Sequence, residues 1–348
     1  MEALSSMTTH ERPGVYSAYD ASAVVNGGGA GAVVGIAAVS EAEDAGTLFR
    51  LSRYEEAAGA FGAEDALTKL VRLLFQNGAS EVRAVPVESS SGYTAAFALL
   101  EQEEDVAVMT CDSTDATVHQ ALRQSVETAS QERRERIAVV EGPSSENATQ
   151  LAARAGVLNA ERMVLVGPAA SDGAGTLAAA VAGAIAGETD PAVPLGGAEL
   201  RGLSGLTARY GESEIDVLIR GGVTPVEEVG GVISVVRGVT TRTKTGQAAD
   251  ATWRELTTIR IVDDVIPTIR DALRSRFRRA KNTEQSRGAI RSQVVLELEN
   301  KLSREIITGY GDVTAQADGE NPTVCVVEFS FTVAHGLNQI WISAHITV

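Results

Sequence analysis

Val106-Ala107-Val108-Met109-Thr110-Cys111, Ile137-Ala138-Val139-Val140 and Met163-Val164-Leu165-Val166 are three short, nearly uninterrupted apolar runs. Thr114-Asp115 can cap a helix reaching to about Arg134, and a second helix is expected over residues 147–157. A third should occupy 175–186. Strands buried on both faces read as continuous apolar runs, and strands separated by one helix pair in parallel through right-handed crossovers. Residues 96–245 are therefore expected to form a middle α/β layered domain.

Upstream, residues 1–11 are polar and aperiodic, and the breaker Arg12-Pro13-Gly14 precedes the β-prone run Val15-Tyr16-Ser17-Ala18-Tyr19. Asn26-Gly27-Gly28-Gly29 reads as a flexible hinge before an apolar strand at 32–39. Leu67, Leu70, Val71, Leu74 and Phe75 recur at helical spacing and Gly78 stops that helix; 81–87 reads as another strand. These features divide the start of the chain into an arm, 1–25, and an N-terminal part of the body, 26–95.

Downstream, residues 190–246 are rich in glycine and proline, with strands expected at 216–220 and 232–237. Thr257-Thr258-Ile259-Arg260-Ile261-Val262 alternates like a strand. Asp263-Asp264 would then open a helix with Pro267 in its first turn and Ile266, Ile269, Leu273 and Phe277 as its buried stripe. A further helix over 285–303 presents Ile290, Val294, Leu298 and Leu302 every four residues, and β segments follow at 305–314, 324–333 and 339–348. Residues 246–337 are expected to form an α+β core and 338–348 a terminal arm strand.

The 348 residues carry a net charge of -16, which argues against general binding to nucleic acid or anionic membranes, since such partners demand a basic surface. Cys111 and Cys325 form neither a disulfide framework nor a metal spacing, there is no leader-like start, and the most apolar helical stretch is too short to span a bilayer. Synthesis in the cytoplasm is expected.

The run Gly27-Gly28-Gly29-Ala30-Gly31 resembles a phosphate loop, but it leads into a strand, whereas a phosphate loop needs a helix N-terminus. His10, His119, His335 and His345 are scattered, Ser204 lacks a nucleophile-elbow context, and Asp263-Asp264 reads as capping before it reads as a carboxylate dyad. No cofactor, metal or catalytic residue is expected. A small-molecule-binding protein or enzyme remains the competing reading, using the crevice at the strand ends near Asp112, Gly142 and Gly167.

Two features stand out. Arg270, Arg274 and Arg278 recur every four residues, joined by Lys281, and form a basic face suited either to solvent or to an acidic surface of another copy. The last residues, Ile340, Trp341, Ile342, Ser343, Ala344, His345, Ile346, Thr347 and Val348, alternate as an amphipathic strand, which must pair with its own sheet or with a neighbour's edge.

Arg12-Pro13-Gly14-Val15-Tyr16, Val235-Val236-Arg237-Gly238-Val239-Thr240-Thr241, Leu256-Thr257-Thr258-Ile259-Arg260-Ile261-Val262-Asp263, Arg287-Gly288-Ala289-Ile290-Arg291 and the closing Ile342-Ser343-Ala344-His345-Ile346-Thr347-Val348 resemble, in that order, segments of phage tail sheath proteins of the compact type. The resemblance implies a C-terminal α+β core, an outward middle α/β domain and extended terminal β arms that donate strands to neighbouring copies. It further implies stacked hexameric rings around an inner tail tube, with baseplate and tail terminator proteins as partners, in a virion or phage-tail-like particle assembled in a host bacterium.

Overall fold

The computed structural model describes residues 33–42 and 44–338. Val15 to Tyr19, Gly27 to Gly29 and Ile340 to Val348 lie outside them.

An eight-stranded sheet organises the first two-thirds of the chain, in the order β2-β3-β1-β4-β5-β6-β7-β8. Its strands are β1 (Val33–Val39), β2 (Phe49–Leu51), β3 (Glu81–Val87), β4 (Val108–Cys111), β5 (Ile137–Glu141), β6 (Met163–Gly167), β7 (Val223–Val229) and β8 (Val232–Val235). The six from β3 to β7 run parallel, and β2 and β8 pair antiparallel at the two edges. The single sheet crosses residue 96, so the expected division there does not separate two sheets.

Side-chain alternation along each strand feeds two cores. Val34 and Ile36 of β1, Ile137 and Val139 of β5, and Val164 and Val166 of β6 face one layer. That layer holds α1 (Tyr54–Phe61), α2 (Ala66–Gln76) and α6 (Thr176–Gly187). Ala37, Ala138, Val140, Met163 and Leu165 face the opposite layer. It holds α3 (Tyr93–Glu101), α4 (Ala116–Gln131), α5 (Ala148–Leu158) and α7 (Glu212–Arg220). The expected cap forms, with Asp115 accepting from the Thr117 N–H at 2.7 Å, and Asn147 and Gln150 add a reciprocal capping box at α5. The strand expected at 216–220 is instead the end of α7. Ile215 and Leu218 are its buried residues, a three-residue spacing that suits a helix laid on the sheet.

The C-terminal third holds the largest departure from the sequence expectation. Residues 257–262 are not a strand: they begin α8 (Leu256–Phe277), which packs on α9 (Glu284–Ser303). Asp263 and Asp264 lie inside α8 and cap nothing, and Pro267 sits in the helix interior. Every residue from Leu256 to Val262 is buried. A helix buried all round shows no polar face, so β-branched alternation there imitates a strand. After a small β9–β10 hairpin (Lys244–Thr245 and Ala248–Ala249), the remaining strands among the described residues are β11 (Ile307–Tyr310), β12 (Thr314–Ala317), β13 (Cys325–Glu328) and β14 (Phe331–Val333). They form two antiparallel pairs, β11 with β14 and β12 with β13.

Backbone contact sets the spacing of α2 and α6. A Cβ on Gly183 would lie 2.7 Å from the Leu74 carbonyl oxygen, whereas one on Gly156 of α5 meets open space. Gly183→Ala is expected to lose about 1–3 kcal/mol. Gly156→Ala should gain roughly 0.5–1 kcal/mol by helix propensity. Denaturant unfolding of both variants measures the contrast.

Candidate assembly site

The place where an α/β sheet of this topology would take a ligand lies between β1 and β4, whose following helices pass to opposite faces. Here the chain fills that crevice with its own side chains. Asp112, just past β4, accepts from the Val39 N–H at 3.0 Å through Oδ2 and from the Tyr93 hydroxyl through Oδ1. Glu141, at the end of β5, accepts from the N–H groups of Leu177 and Ala178 at 2.9 and 3.3 Å. A carboxylate thus takes the helix N-terminus where a phosphate would otherwise bind. Gly142 and Gly167 both face Leu151, at 2.2 and 2.8 Å from where a Cβ would stand. The expected crevice is therefore closed, and its glycines serve packing. Among the described residues no group of His, Cys, Asp and Glu is arranged to hold a metal ion. No helix among them is long and apolar enough to cross a membrane.

Two hydrophobic cores and three ion pairs meet instead on α8. Leu256, Ile259 and Val262 belong to the core beneath the sheet. Ile261, Val265, Ile266, Ile269 and Leu273 belong to the C-terminal core with Val294, Leu298, Ile306, Phe331 and Val333. The start of α8 is set by the Thr-rich segment before it. Thr241 N–H donates to the Met163 carbonyl at 2.8 Å, Thr224 and Val239 bond reciprocally, and Leu256 N–H donates to Gly238 at 3.2 Å.

Buried charges line the same helix. Arg162, directly before β6, grips Asp263 in a two-pronged pair at 2.6 and 2.9 Å. Glu135, just before β5, receives Arg270. Lys301 of α9 donates to Asp264. Arg260 donates to the Glu188 carbonyl at 2.6 Å, satisfying the end of α6. Burial pushes the Asp263 carboxyl up against the opposing pull of Arg162, and burial lowers the Arg260 guanidinium.

The expected basic face is thereby divided. Arg270 is buried and paired within the chain, so it is not part of an exposed face. Arg274, Arg278 and Lys281 are exposed, at the end of α8 and the turn beyond it. A strict four-residue repeat drifts around a helix of 3.6 residues per turn. That drift carries the first arginine inward and leaves the later ones in solvent. Sequence reading missed Arg162, Glu135, Lys301 and Glu141. Glu141 alone carried a signal, as an acid closing an apolar strand.

Residues 88–241 match the phage tail sheath protein central domain, and residues 248–347 match the phage tail sheath C-terminal domain. The chain belongs to the phage tail sheath family. Over 256 residues it is 27% identical to the tail sheath protein of Bacillus phage SP01, covering 70% of this chain and 43% of that protein. It thus spans less than half the length of that curated relative. This sheath-family chain also shares its fold with the helical sheath of the anti-feeding prophage in its contracted state. That match has a TM-score of 0.71 and 16% identity, and covers 97% of this chain and 99% of the other. The sheath tail protein of Desulfitobacterium hafniense matches with a TM-score of 0.69 at 12% identity, over 92% of this chain and all of that one. The β9–β10 hairpin lies at the junction between the two matched sheath domains.

Burial raises the Glu141 carboxyl from its ordinary 4.5 to about 7, against the pull of the Ala178 and Leu177 N–H groups. The folded state therefore holds the proton more tightly than the unfolded chain. The resulting stabilisation is complete below about pH 4.5 and is lost as pH rises through about 7. Glu141→Gln should remove it, so the variant's Tm should gain on wild type from about pH 5 to 8. Paired thermal melts across that range measure the difference, and parallel curves would exclude the effect.

Proposed function

We propose that this chain is the structural subunit of a contractile sheath. Copies stack as hexameric rings around an inner tail tube, and a change in packing between copies shortens the sheath and drives the tube through a target cell envelope. The role is mechanical, with no catalytic step. The particle is a phage virion or a phage-tail-like injection device, assembled in a host bacterial cytoplasm, with baseplate and tail terminator proteins at its two ends.

The observation that carries this reading is the match of fold over nearly the whole of both chains to a helical sheath solved in its contracted state. The C-terminal ribbons add to it. With only two strands in each pair, each strand has one edge unpaired among the described residues. Such edges are templates for strand addition. In this reading the edges receive Val15 to Tyr19 and Ile340 to Val348 from neighbouring copies, and Gly27 to Gly29 let the first of these links survive rigid-body motion. A paired strand supplies several hydrogen bonds of about 0.5–1.5 kcal/mol each, besides side-chain burial.

Arg274, Arg278 and Lys281 are the part of the basic face available to another copy. Among the described residues none of the three is in an ion pair. Contacts that differ between the extended and shortened packings supply the free energy of contraction, because only differential interactions shift an equilibrium.

Negative-stain electron microscopy of the purified protein should show long hollow cylinders. Deleting residues 338–348 should abolish them while circular dichroism and Tm report an intact body. A discrete small oligomer from the full chain would contradict the reading. Replacing Arg274, Arg278 and Lys281 together with glutamate should impair assembly or contraction, and normal contractile particles from that variant would remove the basic face from the mechanism.

A further inference from the structure

We infer that the buried ion pairs of α8 are positioning residues: they set how the C-terminal layer is oriented on the sheet, and contraction depends on that fixed orientation. The second half of this inference rests on the sheath reading; the first half does not.

The helix is shared between two hydrophobic cores. Burial of apolar area is itself non-directional, so area alone does not choose among packings of α8 displaced by whole helical turns. The charges supply what packing lacks. Asp263 and Arg270 are seven residues apart, which places them on one side of the helix two turns apart, roughly 10 Å along its axis. Both reach the amino ends of adjacent central strands, Asp263 to Arg162 before β6 and Arg270 to Glu135 before β5. Two tethers on one face fix both translation along the axis and rotation about it, which one tether cannot do.

Polarity adds a register. Sliding α8 by two turns would set Arg270 against Arg162, or Asp263 against Glu135, and like charges in a buried site are strongly disfavoured. Asp264, about 100° further round the helix, faces the other layer and pairs with Lys301 of α9. Consecutive aspartates thus tie one helix to the sheet and to the C-terminal layer.

These pairs are poor candidates for simple stabilisers. A buried ion pair costs desolvation, and replacing both partners with apolar residues of like volume is commonly neutral or stabilising. Their directional geometry distinguishes them from the apolar residues around them. The Arg162 guanidinium makes two parallel bonds to one carboxylate and a third, at 3.2 Å, to the Arg136 carbonyl.

The test uses the full chain with the apolar double substitution Arg162→Met/Asp263→Leu, and independently Glu135→Leu/Arg270→Met. Spin labels at exposed Gln124 of α4 and Leu296 of α9 read the distance between the two layers by pulsed EPR. Wild type should give one narrow distance. Each double variant should keep or raise its Tm but lose the single narrow distance, and its sheaths should fail to contract cleanly. A double variant retaining the narrow distance overturns the positioning role, whether or not the chain polymerises. A broadened distance with normal contraction overturns the link to contraction. Unfolding of both variants also overturns the inference, since the pairs would then be stabilising elements. Absence of cylinders from wild type counts against the sheath reading alone and leaves the distance measurement intact.

Discussion

The structure depends on one helix belonging to two hydrophobic cores. Leu256, Ile259 and Val262 are buried beneath the eight-stranded sheet, and Ile261, Val265, Ile266, Ile269 and Leu273 are buried in the C-terminal layer. A helix so placed has no exposed residue from Leu256 to Arg270, and any charge it carries there must be matched. Arg260, Asp263, Asp264 and Arg270 each are, by a carbonyl, an arginine, a lysine and a glutamate from four different segments. The sheet and the C-terminal layer are therefore joined through a continuous packed element.

Among the described residues, side chains of the chain itself also fill the crevice expected at the switch point of a doubly wound sheet. The strand ends that would cradle an anion are closed by Asp112 and Glu141, with Leu151 pressed against the glycines beside them. Fold and function separate at this point: the architecture permits a nucleotide site, and the particular residues fill it. Elsewhere the two-stranded ribbons leave strand edges unpaired among the described residues, and Arg274, Arg278 and Lys281 at the end of α8 are exposed.

Most of the sheet was legible because its signal is local. Continuous apolar runs at β4, β5 and β6, with caps at Asp115 and Asn147, specify parallel strands and their crossover helices with little help from distant residues. The start of α8 was illegible for the opposite reason. Thr257, Thr258, Ile259, Ile261 and Val262 favour a strand by propensity, and only burial between two layers selects the helix. The aspartates at 263 and 264 were misread as caps because their partners lie at Arg162 and at Lys301, far away in the chain.

Order along the chain was enough to place it in its family, since the segments that carry the resemblance are short-range patterns in a fixed succession. By itself the sequence determined the alternation of strands and helices and the presence of a basic repeat. Tertiary structure alone decided which arginines are exposed. Arg270 turns inward to Glu135, while Arg274 and Arg278 stay in solvent. The physical reason is that periodicity states which residues share a helix face, whereas exposure depends on what is packed against that face.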